Sequence, residues 1–257
     1  MSENPTLPAA TAPTAGAPTV VLVHGAFAES ASWAEVAQTL SSHGLDVVAV
    51  ANPLRSVAGD AAYLTDVVRG LGRPVVLVGH SYGGMVITQA ADALGEQVRA
   101  LVYVAAFVPE RGESALELSG RHPGSTLGET LLAYPVATGG NEFRIDPARF
   151  AAQFAADVPA ELAATMALTQ RPVTEAALTE ALSVEPAWKR LPSWAVYGDG
   201  DLNIPAAALA SMAERAGVRG STVVEGASHA VGVSHPDAVA TAVLAAVAAA
   251  GSVTAGA

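Results

Sequence analysis

Val75-Val76-Leu77-Val78-Gly79-His80-Ser81-Tyr82-Gly83-Gly84 is the stretch on which the reading of this chain turns. Its first four residues are apolar and mostly β-branched, the pattern of a short strand buried on both faces. Met85-Val86-Ile87 then opens an apolar helix that the sequence predicts from about Tyr82 to Leu94. A serine in Gly-x-Ser-x-Gly between such a strand and such a helix sits on a nucleophile elbow. The turn is so tight that the residues two places before and after the serine must be very small. Gly79 and Gly83 meet that need, and Gly84 adds room. The helix points its N-terminus at the serine, where free N–H groups and the dipole favour negative charge. The pentapeptide alone is a short pattern in a chain with 24 glycines. Its flanking strand and helix, and its partners elsewhere, give it weight.

Outward from the elbow, apolar runs recur between helical segments. Thr19–Val23 reads as a buried strand ending at His24-Gly25, and a helix runs from Ser32-Trp33 to Ser42 before Gly44. Asp46–Val50 is the next strand, broken by Asn52-Pro53, and a helix follows over Ala58–Gly70. Val98–Ala105, Trp194–Tyr197 and Ser221–Val224 complete a set of six strands. Helices fill Ala206–Ala216 and Pro236–Ala250; in the latter Val239, Val243 and Val247 mark a sheet-facing stripe. This alternation predicts an α/β fold, a mostly parallel sheet with helices on both faces and right-handed crossovers.

The alternation lapses between Phe107 and Leu191. Scattered Pro and Gly, no clear strand, and weak helical patches near Phe150, Ala164 and Ala177 read as a helical cap inserted over the strand ends. The expected organisation is therefore an arm over residues 1–18, a core of 19–106 and 191–250, a cap of 107–190, and a tail of 251–257. No internal repeat is visible.

Composition narrows the classes of function. A chain of 257 residues, 51% hydrophobic, can fill one large α/β core. The formal net charge of −11, with no run of Lys or Arg, argues against nucleic acid as a partner. There is no cysteine, which removes thiolate catalysis, disulfides and Cys-ligated metals. Residues 1–18 have neither the basic nor the apolar region of a secretory signal. Ala238–Ala250 is too short and alanine-rich to span a bilayer. The expectation is a cytoplasmic protein without a membrane partner.

An acyl-transfer serine needs a base, an orienter for that base, and donors for the oxyanion. Of six histidines, His229 follows the last strand on the loop Gly226-Ala227-Ser228-His229, where a base can reach the sheet's carboxyl edge. His235 precedes a helix start, His43 and His122 lie in surface-like contexts, and His80 is held within the elbow. The acid is expected after the penultimate strand, in Tyr197-Gly198-Asp199-Gly200-Asp201. Asp201 is preferred, with Asp199 and then Glu110 as alternatives. One oxyanion N–H is expected from Tyr82, and the other from His24-Gly25-Ala26-Phe27, with Phe27 preferred and Ala26 the alternative. His24 is read as a brace for that loop and as a candidate for the pocket wall.

With these pieces assembled, the chain resembles the α/β-hydrolase superfamily. The likeness is strongest to its small branch of esterases and hydroxynitrile lyases, which includes the plant methyl esterases. It is carried by Val21-Leu-Val-His-Gly-Ala26, Val76-Leu-Val-Gly-His-Ser-Tyr-Gly-Gly84, Ala100-Leu-Val-Tyr-Val-Ala-Ala-Phe-Val-Pro109 and Ser228-His-Ala-Val-Gly-Val-Ser-His-Pro236. The resemblance implies Ser81, Asp201 and His229 as a triad, with no cofactor and no metal. Relatives with an aspartate nucleophile, the epoxide hydrolases and haloalkane dehalogenases, are set aside because position 81 is Ser. Plant hydroxynitrile lyases carry a lysine beside the catalytic histidine, and Ala230 stands there instead.

The expected activity is hydrolysis of a small-molecule carboxylic ester, neutral and moderately apolar, through an acyl-enzyme. A lactone or a C–C bond flanked by carbonyls suits the same machinery, as does a lyase. A binding protein of this fold that does not turn over is the reading from another class. Phe107, Phe143, Phe150, Phe154, Leu162, Met166, Leu168 and Trp188 are the apolar candidates for the pocket. At least half of them are expected to be core internal to the cap instead.

Overall fold

The computed structural model describes residues 16–252. Most of the expected N-terminal arm, and most of the tail, lies outside them. The first half of the core runs β1 (Thr19–Val23), a 3-10 turn (Ser30–Trp33), α1 (Ala34–Ser42), β2 (Val47–Val50), α2 (Val57–Leu71), β3 (Val75–His80), α3 (Gly83–Leu94) and β4 (Val98–Val104). The insertion holds α4 (Ala115–Ser119), β5 (Leu131–Pro135), β6 (Asn141–Ile145), α5 (Pro147–Phe154), α6 (Ala160–Thr169), β7 (Val173–Thr174) and α7 (Glu175–Thr179). The core resumes with β8 (Ser193–Gly198), α8 (Ala206–Ala216), β9 (Gly220–Val224), α9 (Val231–Ser234) and α10 (Pro236–Ser252).

Six strands form one parallel sheet in the order β2-β1-β3-β4-β8-β9. Every residue of β1, β3 and β8 is buried, whereas β2 and β9, at the edges, are largely open. That contrast explains the unbroken valine-rich runs of the central strands: both faces are covered, so alternation is lost. One layer pairs α1 with α10, the other pairs α2 with α3. Val239 and Val243 of α10 are fully buried on this sheet, and Val247 packs at the margin. Ser56 caps α2 by accepting the Gly59 N–H at 3.0 Å, and Gly72, at φ 64°, ends it in the left-handed conformation.

The insertion departs from the expectation of a purely helical cap. It carries a three-stranded antiparallel sheet, β5-β6-β7, alongside its helices. β5 lies at the surface, with Leu132 and Tyr134 exposed, β6 is buried only at Glu142 and Ile145, and β7 is two residues long, so none carries the apolar run that marks a doubly buried strand. A hairpin signal is nonetheless present in the chain: Gly139 and Gly140, at φ 92° and 76°, make the turn. Among the described residues no helix is long and apolar enough to cross a membrane.

The strand order sets where chemistry can occur. From β1 the chain turns first to β2 on one side and then to β3 on the other. Ligands of open α/β sheets bind at such a switch point, beyond the strands' carboxyl ends. The loop after β1 and the elbow after β3 meet there, beneath the insertion.

Candidate active site

The elbow is strained as the sequence demands. Ser81 has φ 53°, a left-handed conformation that costs a non-glycine residue roughly 1–2 kcal/mol. Backbone bonds hold it in place: its N–H donates to Val104 O at 3.2 Å, and its carbonyl accepts from Gly84 and Phe107. A Cβ on Gly79 would lie 2.7 Å from Gly83 O, and one on Gly83 would lie 2.5 Å from Val23 O, so each glycine of the pair is required by a different neighbour. Gly25, from the loop after β1, is needed for another reason. A Cβ there would sit 2.6 Å from Ser81 Cβ and 2.7 Å from His80 O, so only glycine lets the two loops approach.

Asp201 and His229 meet as expected. His229 Nδ1 donates to Asp201 Oδ2 at 2.7 Å, and both side chains are almost wholly buried. The other Asp201 oxygen accepts the N–H groups of Asn203 and Ile204 at 2.8 and 2.9 Å. That arrangement fixes the tautomer: with Nδ1 protonated, Nε2 is the free base. Among the described residues no hydrogen bond joins the Ser81 hydroxyl to His229. Asp199, the alternative acid, accepts the Gly226 N–H at 2.6 Å and so braces the loop leading to the histidine. Glu110 pairs with Lys189 instead.

The two residues flanking Ser81 are tied into the site. His80 is buried, its ring 4.8 Å from that of His229, and its Nε2–H donates to the His229 carbonyl at 3.0 Å. Burial first, and then the nearby His229, hold its pKa well below the usual histidine range, so it stays neutral and keeps that tautomer. Phe154 packs edge-on against both imidazoles. Tyr82, fully buried, donates its hydroxyl to Asp60 at 2.9 Å.

The loop after β1 does not leave Phe27 free for the role expected of it. The Phe27 N–H donates to Arg171 O of the insertion at 3.1 Å, so it is already committed. The N–H of Ala26, the alternative, and that of Tyr82 have no acceptor among the described residues. A one-residue offset of this kind depends on φ at Phe27, 60°, which sequence does not reveal. His24 is a brace and does not line the pocket, contrary to the second expectation for it. It is fully buried, its Nδ1–H donates to Gly25 O at 3.0 Å, and its Nε2 accepts the Asn52 N–H at 3.0 Å. Burial lowers its pKa to about 4.

Ser81 opens into a cavity of about 300 Å³. Phe107 alone of the expected aromatic residues lines it. The wall is built instead from Leu116, Leu127, Leu131, Leu178 and Ile204, and among the described residues no charged side chain lines it. Phe143 packs at the margin of the hydrophobic core, and Phe150 and Phe154 stack on each other within it. Trp188 donates to Pro109 O, and Leu162 and Leu168 are exposed. Met166 lines a separate groove beyond Phe27. Among the described residues no three His, Asp or Glu side chains gather so as to hold a metal ion.

Residues 20–242 match the model of the alpha/beta hydrolase family. The chain belongs to this family. The carbendazim hydrolyzing esterase of Nocardioides sp. (strain SG-4G) is 39% identical over 113 residues, covering 38% of this chain and 46% of that protein. Probable hydrolase R7 of Phoma sp. (strain ATCC 20986 / MF5453) is 34% identical over 131 residues, covering 46% and 54%. The chain thus matches about half the length of these relatives. The crystal structure of polyneuridine aldehyde esterase superposes with a TM-score of 0.76 at 21% identity, over 89% of this chain and 98% of the other. A pyrethroid hydrolase from Sphingobium faniae JZ-2 superposes with a TM-score of 0.71 at 20% identity, over 90% and 97%. These likenesses concern the fold.

Proposed function

We propose that this member of the alpha/beta hydrolase family is a serine hydrolase of neutral, apolar carboxylic esters. The observation that carries the proposal is the buried Asp201–His229 pair beside a strained Ser81 that opens onto an uncharged cavity. As the ester seats, the Ser81 hydroxyl turns to His229 Nε2, a bond that commonly tightens only with substrate present. Nε2 takes the proton while Oγ attacks the carbonyl carbon. Asp201 holds the ring and stabilises the imidazolium.

The N–H groups of Ala26 and Tyr82 receive the oxyanion, assisted by the N-terminus of α3. Collapse breaks the C–O bond, and the alcohol leaves with the proton from His229. Water, deprotonated by the same Nε2, attacks the acyl-enzyme and releases the acid and Ser81. The leucine-lined cavity takes the apolar portion of the substrate. Two relatives matched over about half of their length, named as an esterase and a hydrolase, support the same reading.

Initial rates on p-nitrophenyl esters from acetyl to dodecanoyl test it, with Ser81→Ala run in parallel. Turnover that disappears in the variant is expected, with an optimum at a medium acyl chain. Folded protein with no turnover on any of these esters would overturn the assignment.

A further inference from the structure

Asp60 is a buried carboxylate that the proposed reaction does not use. It stands in the first turn of α2, 1% exposed, and accepts the Arg55 N–H at 3.1 and 3.2 Å. It is also held by the backbone of Ser56 and accepts from the hydroxyl of Tyr82, the residue after the nucleophile. A phenylalanine would fill the same buried space without a polar group to satisfy. A carboxylate withdrawn from water is expensive unless its hydrogen bonds have a use. Here they hold the hydroxyl at the far end of the Tyr82 side chain, the residue whose peptide N–H is assigned to the oxyanion.

The network continues into the insertion. The Arg55 guanidinium donates to Pro172 O at 3.0 Å and pairs with Glu142 on β6. Thr174 of β7 donates its N–H to Leu54 O at 3.2 Å and its hydroxyl to Arg55 O at 2.6 Å. Leu54 has φ 62° and Phe27 has φ 60°, two of the four non-glycine residues described with positive φ. Each is hydrogen-bonded to the same short stretch of insertion, Phe27 to Arg171 and Leu54 to Thr174. Strained residues persist only where their surroundings over-determine them. One segment of the insertion thus grips both arms of the oxyanion site: the loop bearing Ala26, and the 54–55 turn that holds Asp60 and Tyr82.

We propose that Asp60 is a positioning residue for the oxyanion site, acting through the Tyr82 hydroxyl and anchored to the insertion by Arg55 and Thr174. The proposal rests on the serine-hydrolase reading above. Geometry decides which groups are worth most at a developing charge, and a donor misaimed by a fraction of an ångström still binds substrate.

The test uses the full chain with Tyr82→Phe, Asp60→Asn and the double variant. Each is measured for kcat and KM on p-nitrophenyl butyrate and for Tm. Each is also measured for inhibition by a trifluoromethyl ketone, to which Ser81 adds to form a tetrahedral oxyanion. Tyr82→Phe is expected to lower kcat about tenfold with KM within about twofold, because the donor is misaimed and not deleted. Ketone affinity should fall by the same factor as kcat/KM. The double variant should be no slower than the slower single one, since both changes act on one contact. In Asp60→Asn a single accepting oxygen faces two donors, the Arg55 N–H and the Tyr82 hydroxyl, so the hold on Tyr82 is weakened and a loss of kcat in the same direction but no larger is expected; if the variant does not fold, Tyr82→Phe decides alone. Wild-type kcat in folded Tyr82→Phe, or a loss of kcat without loss of ketone affinity, would overturn the proposal. Labelling of wild-type Ser81 by a fluorophosphonate separates the two failures. A wild-type chain that is labelled and turns over, with Tyr82→Phe unaffected, sinks the positioning role alone. A chain that is neither labelled nor active sinks the hydrolase reading and this proposal together.

Discussion

The sheet and the insertion solve different problems with different kinds of residue. At the sheet's carboxyl edge, glycines and hydrogen-bonded polar groups hold a few atoms in fixed positions: Gly25 and Gly79 leave no room for a Cβ, and His80 and Asp201 each hold His229 by a hydrogen bond. In the insertion, the cavity wall is leucine-rich and made of parts from α4, β5, α7 and the segments between. A leucine wall accepts replacement by other apolar residues of similar size. The sheet side is therefore expected to govern rate, and the insertion side to govern which ester is preferred.

The largest effect should come from the sheet side. Asp201→Asn leaves the fold intact and favours the wrong imidazole tautomer, so kcat should fall on the order of 10⁴-fold with little change in KM. A drop of only a few-fold would mean that Asp201 is not the group that orients the base. Gly25→Ala should follow, since its Cβ would collide with Ser81 and His80. We expect at least about a hundredfold loss of kcat/KM, as a misplaced reacting group can cost that much. Unchanged rates on a folded variant would break the distinction between the regions.

His80→Ala removes the donor to the His229 carbonyl and should lower kcat about tenfold, with the base loop less well held. Hydrogen exchange at residues 226–230 should rise in step. On the insertion side, Leu178→Ala and Leu131→Ala should leave kcat on the acetyl ester within about twofold and move the chain-length optimum upward. If either variant lowers rates on all esters equally, the insertion shapes the chemistry as well as the preference.

The smallest effect concerns acid stability. The folded-state pKa of His24 is depressed to about 4 from an ordinary value of 6.5. The unfolded chain therefore takes up the proton more readily, so this group's contribution is present above pH 6.5 and lost as pH falls toward 4. Glu113 acts lower on the scale. Burial alone would raise its pKa, but hydrogen bonds from Arg215, the Glu110 N–H and Arg121 outweigh that and hold it at about 2. Its contribution is present above pH 4.5 and fades as pH falls toward 2. Urea midpoints from pH 7 to pH 3 should show a shallower decline between pH 6.5 and 4 for His24→Asn than for wild type. An unchanged slope would mean that His24 is not buried as a neutral ring.

Legibility from sequence follows the same division. The central strands announce themselves because double burial writes an unbroken apolar run, and the elbow because tight packing admits only glycine. Asp201 and His229 can be proposed from their order along the chain. The choice between Ala26 and Phe27 cannot, because it turns on one backbone angle and on a carbonyl 144 residues away, that of Arg171. Asp60 is hidden for a similar reason: nothing local in Gly59-Asp60-Ala61 shows that a tyrosine hydroxyl arrives from the elbow. Aromatic size is a poor guide to the cavity wall. Phe150 and Phe154 serve as core, while leucines from several short elements face the serine. The strands of the insertion are hard to read because they are short and, in β5 and β6, exposed over much of their length, so no apolar run forms, although Gly139-Gly140 marks the β5–β6 hairpin.

The central claim is that Ser81 carries the acyl group. Rapid acid quench during turnover of p-nitrophenyl butyrate, followed by peptide mass analysis, measures it directly. We predict a butyryl adduct on the peptide containing Ser81, absent from Ser81→Ala and accumulating in Asp201→Asn if deacylation is slowed more than acylation. Turnover by folded protein with no adduct on Ser81, or an adduct on another residue, would contradict the account.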